Sequence, residues 1–464
     1  MNTLDVLIYC EQLTGVKFDM EFDPCDDPEI WELISSNKTT GLFQIGTDTY
    51  KKRMPRLAPK TIQELAACLA LVRGPCISAG TDEVYMRIQE GLDEVHLIHP
   101  YYDDATKETN GALIFQEQLM QVCINMGMSI EDSFKTMKFA AKKKFDKLKE
   151  AKDTLYENVK GTIDDEAFES IFKIIVDAGK YLFNQSHAVA YAMVGYATAF
   201  YKCHYPKEFI ASTLSHIYIN GGDAKKRHDK LTETFKDARR IGVKFLPPDI
   251  RKSSWKFTIE GDAIRIGLCA ITSFSEAAYN EIVEKCVPFD EDLDVLEQIM
   301  DNVEKKKCGK RAMVPLILSG ALGDRCECYN TFCTIRKEEP QSELFIHNKL
   351  SIDIYAEDGE VEEALLEVPY TTYPANNLEP VGIDKKANYK PFEIDAYISR
   401  VKTHKTKAKE QMAFLTFDTG DGEIELTVFA DVYKQYKKLL KKNKIVKATI
   451  RKTNKGIQLL SVAP

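Results

Sequence analysis

The 464 residues carry 63 lysines and arginines against 71 aspartates and glutamates, a net charge of −8, with 44% hydrophobic and 29% charged residues. That balance excludes a disordered chain and a uniformly basic surface, so any contact with nucleic acid has to come from local basic patches. No apolar run reaches the roughly 18 residues of a membrane span, and Met1-Asn2-Thr3-Leu4-Asp5 lacks the basic and apolar parts of a signal peptide, so a cytoplasmic location is expected; the twelve cysteines, scattered without paired spacing, fit free thiols.

The chain opens with an apolar-periodic helix over Leu4-Asp5-Val6-Leu7-Ile8-Tyr9-Cys10, breaks at Asp23-Pro24-Cys25-Asp26-Asp27-Pro28, and resumes as a helix from Glu29. Thr39-Thr40-Gly41-Leu42-Phe43-Gln44 comes next, then a turn at Arg73-Gly74-Pro75-Cys76 and Phe115-Gln116-Glu117-Gln118-Leu119-Met120. Over 129–152 a helix, a turn and a second helix carry Lys135, Lys138, Lys142, Lys143, Lys144, Lys147, Lys149 and Lys152, a pattern that by itself reads as a solvated face. Phe183-Asn184-Gln185-Ser186-His187-Ala188-Val189-Ala190-Tyr191 joins a polar loop to an apolar core helix over 188–201. The first turn of a helix has N–H groups without intrahelical partners, and Asn184, Ser186 and His187 add donors there. The stretch is therefore either an anion site at a buried helix start or an ordinary helix cap. The acidic pairs Asp26-Asp27, Asp103-Asp104 and Asp164-Asp165 sit at loops or helix caps rather than on alternate strand positions, so they read as turn acids, not metal carboxylates.

Helices over 204–240 end at Arg239-Arg240-Ile241-Gly242, followed by the turn Leu246-Pro247-Pro248-Asp249-Ile250 and short strands around 255–266. Cys308, Cys326, Cys328 and Cys333 come closest to a metal motif, but their spacing fits no common zinc finger or ribbon; they read as small buried hydrophobes, and no metal ligands are expected in this chain. Residues 336–390 have the composition of a linker, and residues 391–464 alternate as five strands, 392–398, 412–417, 423–429, 445–450 and 457–462, with a helix over 431–440 between the third and fourth. That order is an OB-fold. Its strand-1/2 and strand-4/5 loops carry Lys402, Lys405, Lys407, Lys409, Lys452 and Lys455, with Phe414 and Phe417 nearby, and 434–455 holds ten basic residues and no acid. These fit a single-strand DNA groove; the alternative is that the phenylalanines fill the barrel and the lysines only solubilise it.

The nine residues from Phe183 resemble the FNKSHAxAY signature of the bacterial C-family replicative DNA polymerases, the alpha subunit of DNA polymerase III. Residues 39–44 resemble that family's TTGxFQ, 115–120 its YQEQxM, 246–250 its LPPDI, and Lys310-Arg311 with 316–322 the KRxxxxLIxSGA helix. The resemblance implies a multidomain α+β protein: mainly α-helical fingers over 1–235, a helix-hairpin-helix module over 236–335, a linker over 336–390 and the OB-fold barrel over 391–464. It implies an incoming deoxynucleotide bound by Asn184, Ser186, His187, Tyr191, Gln116, Glu117, Arg73, Lys138, Lys142, Lys143 and Lys144. The lysines coincide with the family's RRAxGKKK segment, although Met137 replaces its first arginine and Gln185 replaces a common lysine. Gln341-Ser342-Glu343-Leu344-Phe345 has the QxxLF shape of a sliding-clamp-binding peptide, at the place where the family carries one; Gln341, Leu344 and Phe345 would be its anchors.

The same resemblance puts the three metal-binding aspartates of the palm before Met1, so no catalytic residue is expected here and Mg²⁺ would be bound mainly outside this chain. Primer-template and single-stranded DNA, deoxynucleotide, sliding clamp and a palm-bearing polymerase fragment are the implied partners, and a split polymerase of bacterial or phage origin is the implied setting. In the hairpin module, Ala270-Ile271-Thr272-Ser273-Phe274-Ser275-Glu276 lacks the family's two glycines, which predicts a preserved fold with a weak grip on DNA. The competing reading is a catalytically inert DNA- and clamp-binding accessory protein descended from such a polymerase.

Overall fold

A computed structural model of the chain describes residues 3–179, 181–337, 343–346, 350–353, 391–405, 411–418, 423–441, 444–453 and 456–463. Two compact units divide it, Met1–Asp324 and Arg325–Pro464. Among the described residues no helix is long and apolar enough to cross a membrane.

The first unit is organised on the helix Gln185–His204, which is longer at both ends than its uncharged stretch. Ala188, Ala192, Ala197 and Ala199 are fully buried, and such small side chains let the helix Ile62–Leu71 pack closely along it. Helices Thr3–Thr14, Pro28–Ile34 and Pro206–Asn220 complete this core. A second core gathers Pro100–Thr106, Gln116–Asn125, Ile130–Ala141, Phe145–Val159 and Asp165–Ala178. The last of these buries Ala167, Phe168, Ile171, Ile175 and Ala178, the helical repeat of one apolar face, and starts at Asp164, whose carboxylate caps Ala167 N–H. The two cores meet at an isolated bridge: Phe183 N–H donates to Ile114 O and Gln116 N–H to Phe183 O, each at 2.8 Å. That seam is where the polar stretch before the central helix lies.

Toward the end of this unit, Lys244–Leu246 pairs in parallel with Ala263–Arg265, which pairs antiparallel with Thr258–Glu260. Helices Glu276–Cys286, Val295–Asn302 and Lys310–Leu318 follow, and Ile250 N–H ties the Pro247-Pro248 turn to Ala321 O at 2.9 Å. The hairpin lacking glycines keeps a left-handed backbone: Ser273 sits at φ 72°. An L-residue there bears strain that glycine avoids.

The second unit contains the helix Arg325–Arg336, a two-stranded pair Glu343–Ile346 with Leu350–Asp353, and a closed five-stranded barrel. The barrel strands in chain order are Phe392–Lys405, Gln411–Asp418, Glu423–Val428, Ile445–Thr453 and Gly456–Ala463, with the helix Ala430–Tyr436 before the fourth. The first strand pairs with the second and fourth, and the fifth closes the ring by pairing with the third and fourth, the connectivity of an OB-fold. The fold class is therefore as expected, helical regions followed by an OB-type barrel. Strand one is twice its expected length, since alternation continues past 398 as Arg400, Lys402 and His404 face outward.

Cys10, Cys25, Cys68, Cys76, Cys123, Cys286, Cys308, Cys328 and Cys333 are buried thiols, and Cys203 and Cys269 are half-buried thiols.

Candidate functional site

At the start of the central helix, Asn184 is the N-cap and its side-chain oxygen accepts from His187 N–H at 2.8 Å. Its amide nitrogen donates to Glu117 Oε1 at 2.7 Å, and Gln185 N–H donates to Glu117 Oε2 at 2.9 Å. The place that the sequence reading reserved for an external anion is thus partly filled by the chain's own carboxylate, and it is not buried: Asn184, Ser186 and His187 are exposed. A loop that ends a seam between two cores and opens a helix has one side in water, which the apolar run following it does not reveal. Gln116 joins through its backbone, while Gln118 accepts Ile114 and Phe115 N–H and donates to Thr109 Oγ1 at 2.6 Å.

One face of the helix start carries a ladder of rings. The Arg73 guanidinium lies 4.2 Å from the centre of the Phe183 ring, Phe183 is 5.4 Å from His187, His187 4.0 Å from Tyr191, and Tyr191 5.0 Å from Phe43. His187 and Tyr191 are one helical turn apart, and Phe183, just before the N-cap, folds back onto His187. Arg73 also donates to Ala70 O at 2.9 Å and Tyr181 O at 2.7 Å, so it braces the loop; its expected turn is the start of a short helix, Gly74–Ala79. Among the described residues neither the Ser186 hydroxyl nor the His187 ring makes a hydrogen bond.

The loop 39–44 is held from the same helix. Phe43 N–H donates to Thr198 Oγ1 at 3.1 Å, and the buried Lys202 ammonium donates to Lys38 O and Thr40 O, both at 2.7 Å, while pairing with Asp237 at 2.6 Å. Burial pushes the Lys202 pKa down, and Asp237 opposes that shift. Thr198 and Lys202 were not singled out from sequence. The signal was there, a lysine in the last turn of an otherwise apolar helix.

Lys142, Lys143 and Lys144 form the exposed turn between Ile130–Ala141 and Phe145–Val159, with Lys143 in the left-handed region at φ 53°. Gly179 backs this turn: a Cβ there would lie 2.6 Å from the Ala140 carbonyl carbon, so only glycine lets the end of Asp165–Ala178 approach. Four residues later the chain reaches Phe183. Lys138 is exposed and lies 4.0 Å from the centre of the Phe134 ring. Met137, at the position of the expected arginine, points into the second core, and among the described residues no hydrogen bond joins these lysines to Asn184, Ser186 or His187.

On the barrel, Lys402 stands directly opposite Phe414 across the first two strands, both exposed, whereas Phe417 is fully buried in the barrel core and cannot meet a ligand. Lys402, Lys405 and Lys452 lie on strands rather than in loops; Lys407, Lys409 and Lys455 fall outside the described residues, as does Gln341. Leu344 and Phe345 lie on the strand Glu343–Ile346.

A sequence profile of the bacterial DNA polymerase III alpha subunit finger domain matches residues 3–162, and one of a helix-hairpin-helix motif matches residues 242–327. The chain is 29% identical over 453 residues to the DNA polymerase III subunit alpha of Aquifex aeolicus, covering 93% of this chain and 38% of that protein. It is 26% identical over 470 residues to that of Bacillus subtilis, covering 94% and 41%, and 31% identical over 328 residues to that of Thermus aquaticus, covering 67% and 26%. The chain thus spans about two fifths of the length of the first two curated relatives.

Proposed function

We propose, from the homology of this chain along its length to a C-terminal portion of the bacterial DNA polymerase III alpha subunit, that it forms the nucleotide- and DNA-gripping part of a replicative DNA-directed DNA polymerase. The observation that carries this reading is the contrast at the start of Gln185–His204: Ser186 and His187 present unengaged donors to solvent on a frame fixed by Glu117, Arg73 and Lys202. In this reading those two side chains meet the triphosphate of an incoming deoxynucleotide. Asn184, Glu117 and Gln116 position the helix start, Tyr191 and Arg73 support it from the ring ladder, and Lys138, Lys142, Lys143 and Lys144 add positive charge. Phosphoryl transfer needs divalent ions, here Mg²⁺, to activate the primer hydroxyl and stabilise the leaving pyrophosphate; their carboxylates come from a palm outside these 464 residues.

The test is single-turnover incorporation by the enzyme assembled with its palm. Each donor to a charged phosphate is worth roughly 1.5 to 3 kcal/mol, so Ser186→Ala with His187→Ala is expected to lower incorporation efficiency about a hundredfold. The thermal melt should move little, because both side chains are exposed and only the His187 ring contacts with Phe183 and Tyr191 are lost. Normal incorporation with a normal melt overturns the assignment. Failure of the unmodified chain to support incorporation with any palm would favour the accessory-protein reading, which draws support from Glu117 occupying the helix start and from Ser273 standing where the hairpin calls for glycine. The chain without a palm should not extend a primed template, and extension by the purified chain would count against a palm outside it.

The barrel and hairpin module complete the grip on DNA in this proposal, with Lys402 and Phe414 as a charged stacking platform for single strands. Residues 341–345 tether a sliding clamp: changing Gln341, Leu344 and Phe345 to alanine should abolish clamp binding in gel filtration, and retained binding would refute the tether.

A further inference from the structure

Among the described residues one group of His, Cys, Asp and Glu side chains converges closely enough to hold a metal ion, and it lies apart from the site above. Glu29 stands in the first turn of Pro28–Ile34, and Cys203 and His204 in the last turn of Gln185–His204; one carboxylate oxygen, the sulfur and one ring nitrogen all lie within 4.8 Å of one another. Sequence spacing hides the group, since 174 positions separate Glu29 from Cys203 (203 − 29). His204 is already oriented. Its Nε2 lies 2.9 Å from Asp27 Oδ2, its ring packs edge-on at 5.3 Å against Phe200, and Asp27 itself is fixed as the helix cap, its Oδ1 accepting from Glu29 N–H at 2.9 Å.

We propose that Glu29, Cys203 and His204 bind a transition-metal ion of the zinc class, with Asp27 as the residue that positions His204. With the Nε2 proton directed at Asp27, Nδ1 is left to coordinate, the arrangement by which a carboxylate orients a ligating imidazole. The donor set selects the ion: thiolate and imidazole favour Zn²⁺ or Co²⁺, whereas Mg²⁺ prefers an all-oxygen shell, so this is not a site for the ions of phosphoryl transfer. The fit is close. Tetrahedral Zn²⁺ with its usual bond lengths sets sulfur and nitrogen about 3.5 Å apart, so side-chain rotation has at most about one ångström to close from a spacing within 4.8 Å. Three protein ligands leave the fourth position to water, and the ion would pin the start of Pro28–Ile34 to the end of the central helix. A bare Asp27–His204 ion pair with Glu29 solvated is the competing account.

Cobalt is the probe, titrated into the full chain under reducing conditions. We expect one equivalent to bind with a thiolate-to-cobalt charge-transfer band that Zn²⁺ displaces, and Zn²⁺ to raise the melting temperature. Cys203→Ser should abolish the band and the melting shift. His204→Gln should weaken binding at least tenfold by an independent route, with metal-free melts confirming that both variants fold. Asp27→Asn keeps the cap, for which asparagine serves as well as aspartate, and should weaken the metal ten- to a hundredfold with an unchanged metal-free melt. No band in the unmodified chain, or a band that survives Cys203→Ser because another thiol supplies it, overturns the proposal.

Discussion

The central helix with the loops around it and the outer face of the barrel are both rich in polar and aromatic side chains, and they treat them in opposite ways. Around the helix most motif residues turn inward. Thr39 bonds Ile45 O, Gln118 holds two backbone N–H groups, Lys202 holds two carbonyls and a carboxylate, and Glu117 holds the helix start. On the barrel the inward places go to Ala413, Leu415 and Phe417, and Lys402, His404 and Phe414 are left to water. A signature in the first region therefore mostly describes a scaffold, and its chemistry is confined to the few donors the scaffold leaves over. In the second region the alternation of the strand itself separates core from ligand-facing side chains.

The largest test of this contrast is Lys202→Met. It leaves the enclosed Asp237 carboxylate without its partner and frees the buried Thr40 carbonyl and the part-buried Lys38 carbonyl, and breaking such a pair costs about 3 to 5 kcal/mol. Urea unfolding should show that loss, and the double change Lys202→Met with Asp237→Leu should regain much of it, because removing both charges relieves the stranded one. A cost under about 1 kcal/mol for the single change would mean the loop 39–44 does not depend on the lysine.

The two barrel phenylalanines supply the next test. Phe417→Ala should destabilise the barrel by about 3 to 5 kcal/mol through the cavity it leaves. Phe414→Ala should leave stability within about 0.5 kcal/mol and reduce single-strand DNA affinity by the roughly 1 to 3 kcal/mol of a base stacked on a ring. Equal effects of the two changes on both measurements would erase the distinction between core and platform.

How far the sequence disclosed this architecture follows from the same contrast. The barrel was legible because period-two alternation and a helix between the third and fourth strands leave little else to build, and the reach of the first and fourth strands was short. The central helix was legible as an element, from its uncharged run. Which of its polar neighbours face water was not, because an N-cap, a strut and a phosphate ligand use the same residue types. Arg73 braces carbonyls and a ring, and Met137 faces the second core, so its replacement of arginine says little about charge in the pocket. The converging Glu29, Cys203 and His204 left no trace in the sequence, since only the tertiary fold brings the start of one helix to the end of another.

The smallest expected effect comes from a pair that stands between the two extremes, Glu281 with its carboxylate enclosed and Lys307 with its ammonium half in water, 2.6 Å apart. The Lys307 hydrogen bond holds the Glu281 carboxyl below the usual carboxylate range, against burial, and the same bond raises Lys307. A depressed native pKa stabilises the fold above the unfolded value, roughly 4.3 for glutamate, and the contribution is lost as pH falls through the lower native value. The lysine works in the other direction: its contribution is present below its ordinary pKa of about 10.4 and lost only as pH rises through the higher native value. The urea midpoint of the unmodified chain should therefore exceed that of Glu281→Gln by a constant margin between about pH 5 and pH 9, and the margin should narrow below about pH 4 as the carboxyl takes up a proton. Taking the difference between the two proteins cancels the other carboxylates. If the margin instead stays flat into acid pH, the Glu281 carboxyl is not held down in the folded chain, and the pair behaves like the barrel's solvent-facing side chains rather than like Lys202 and Asp237.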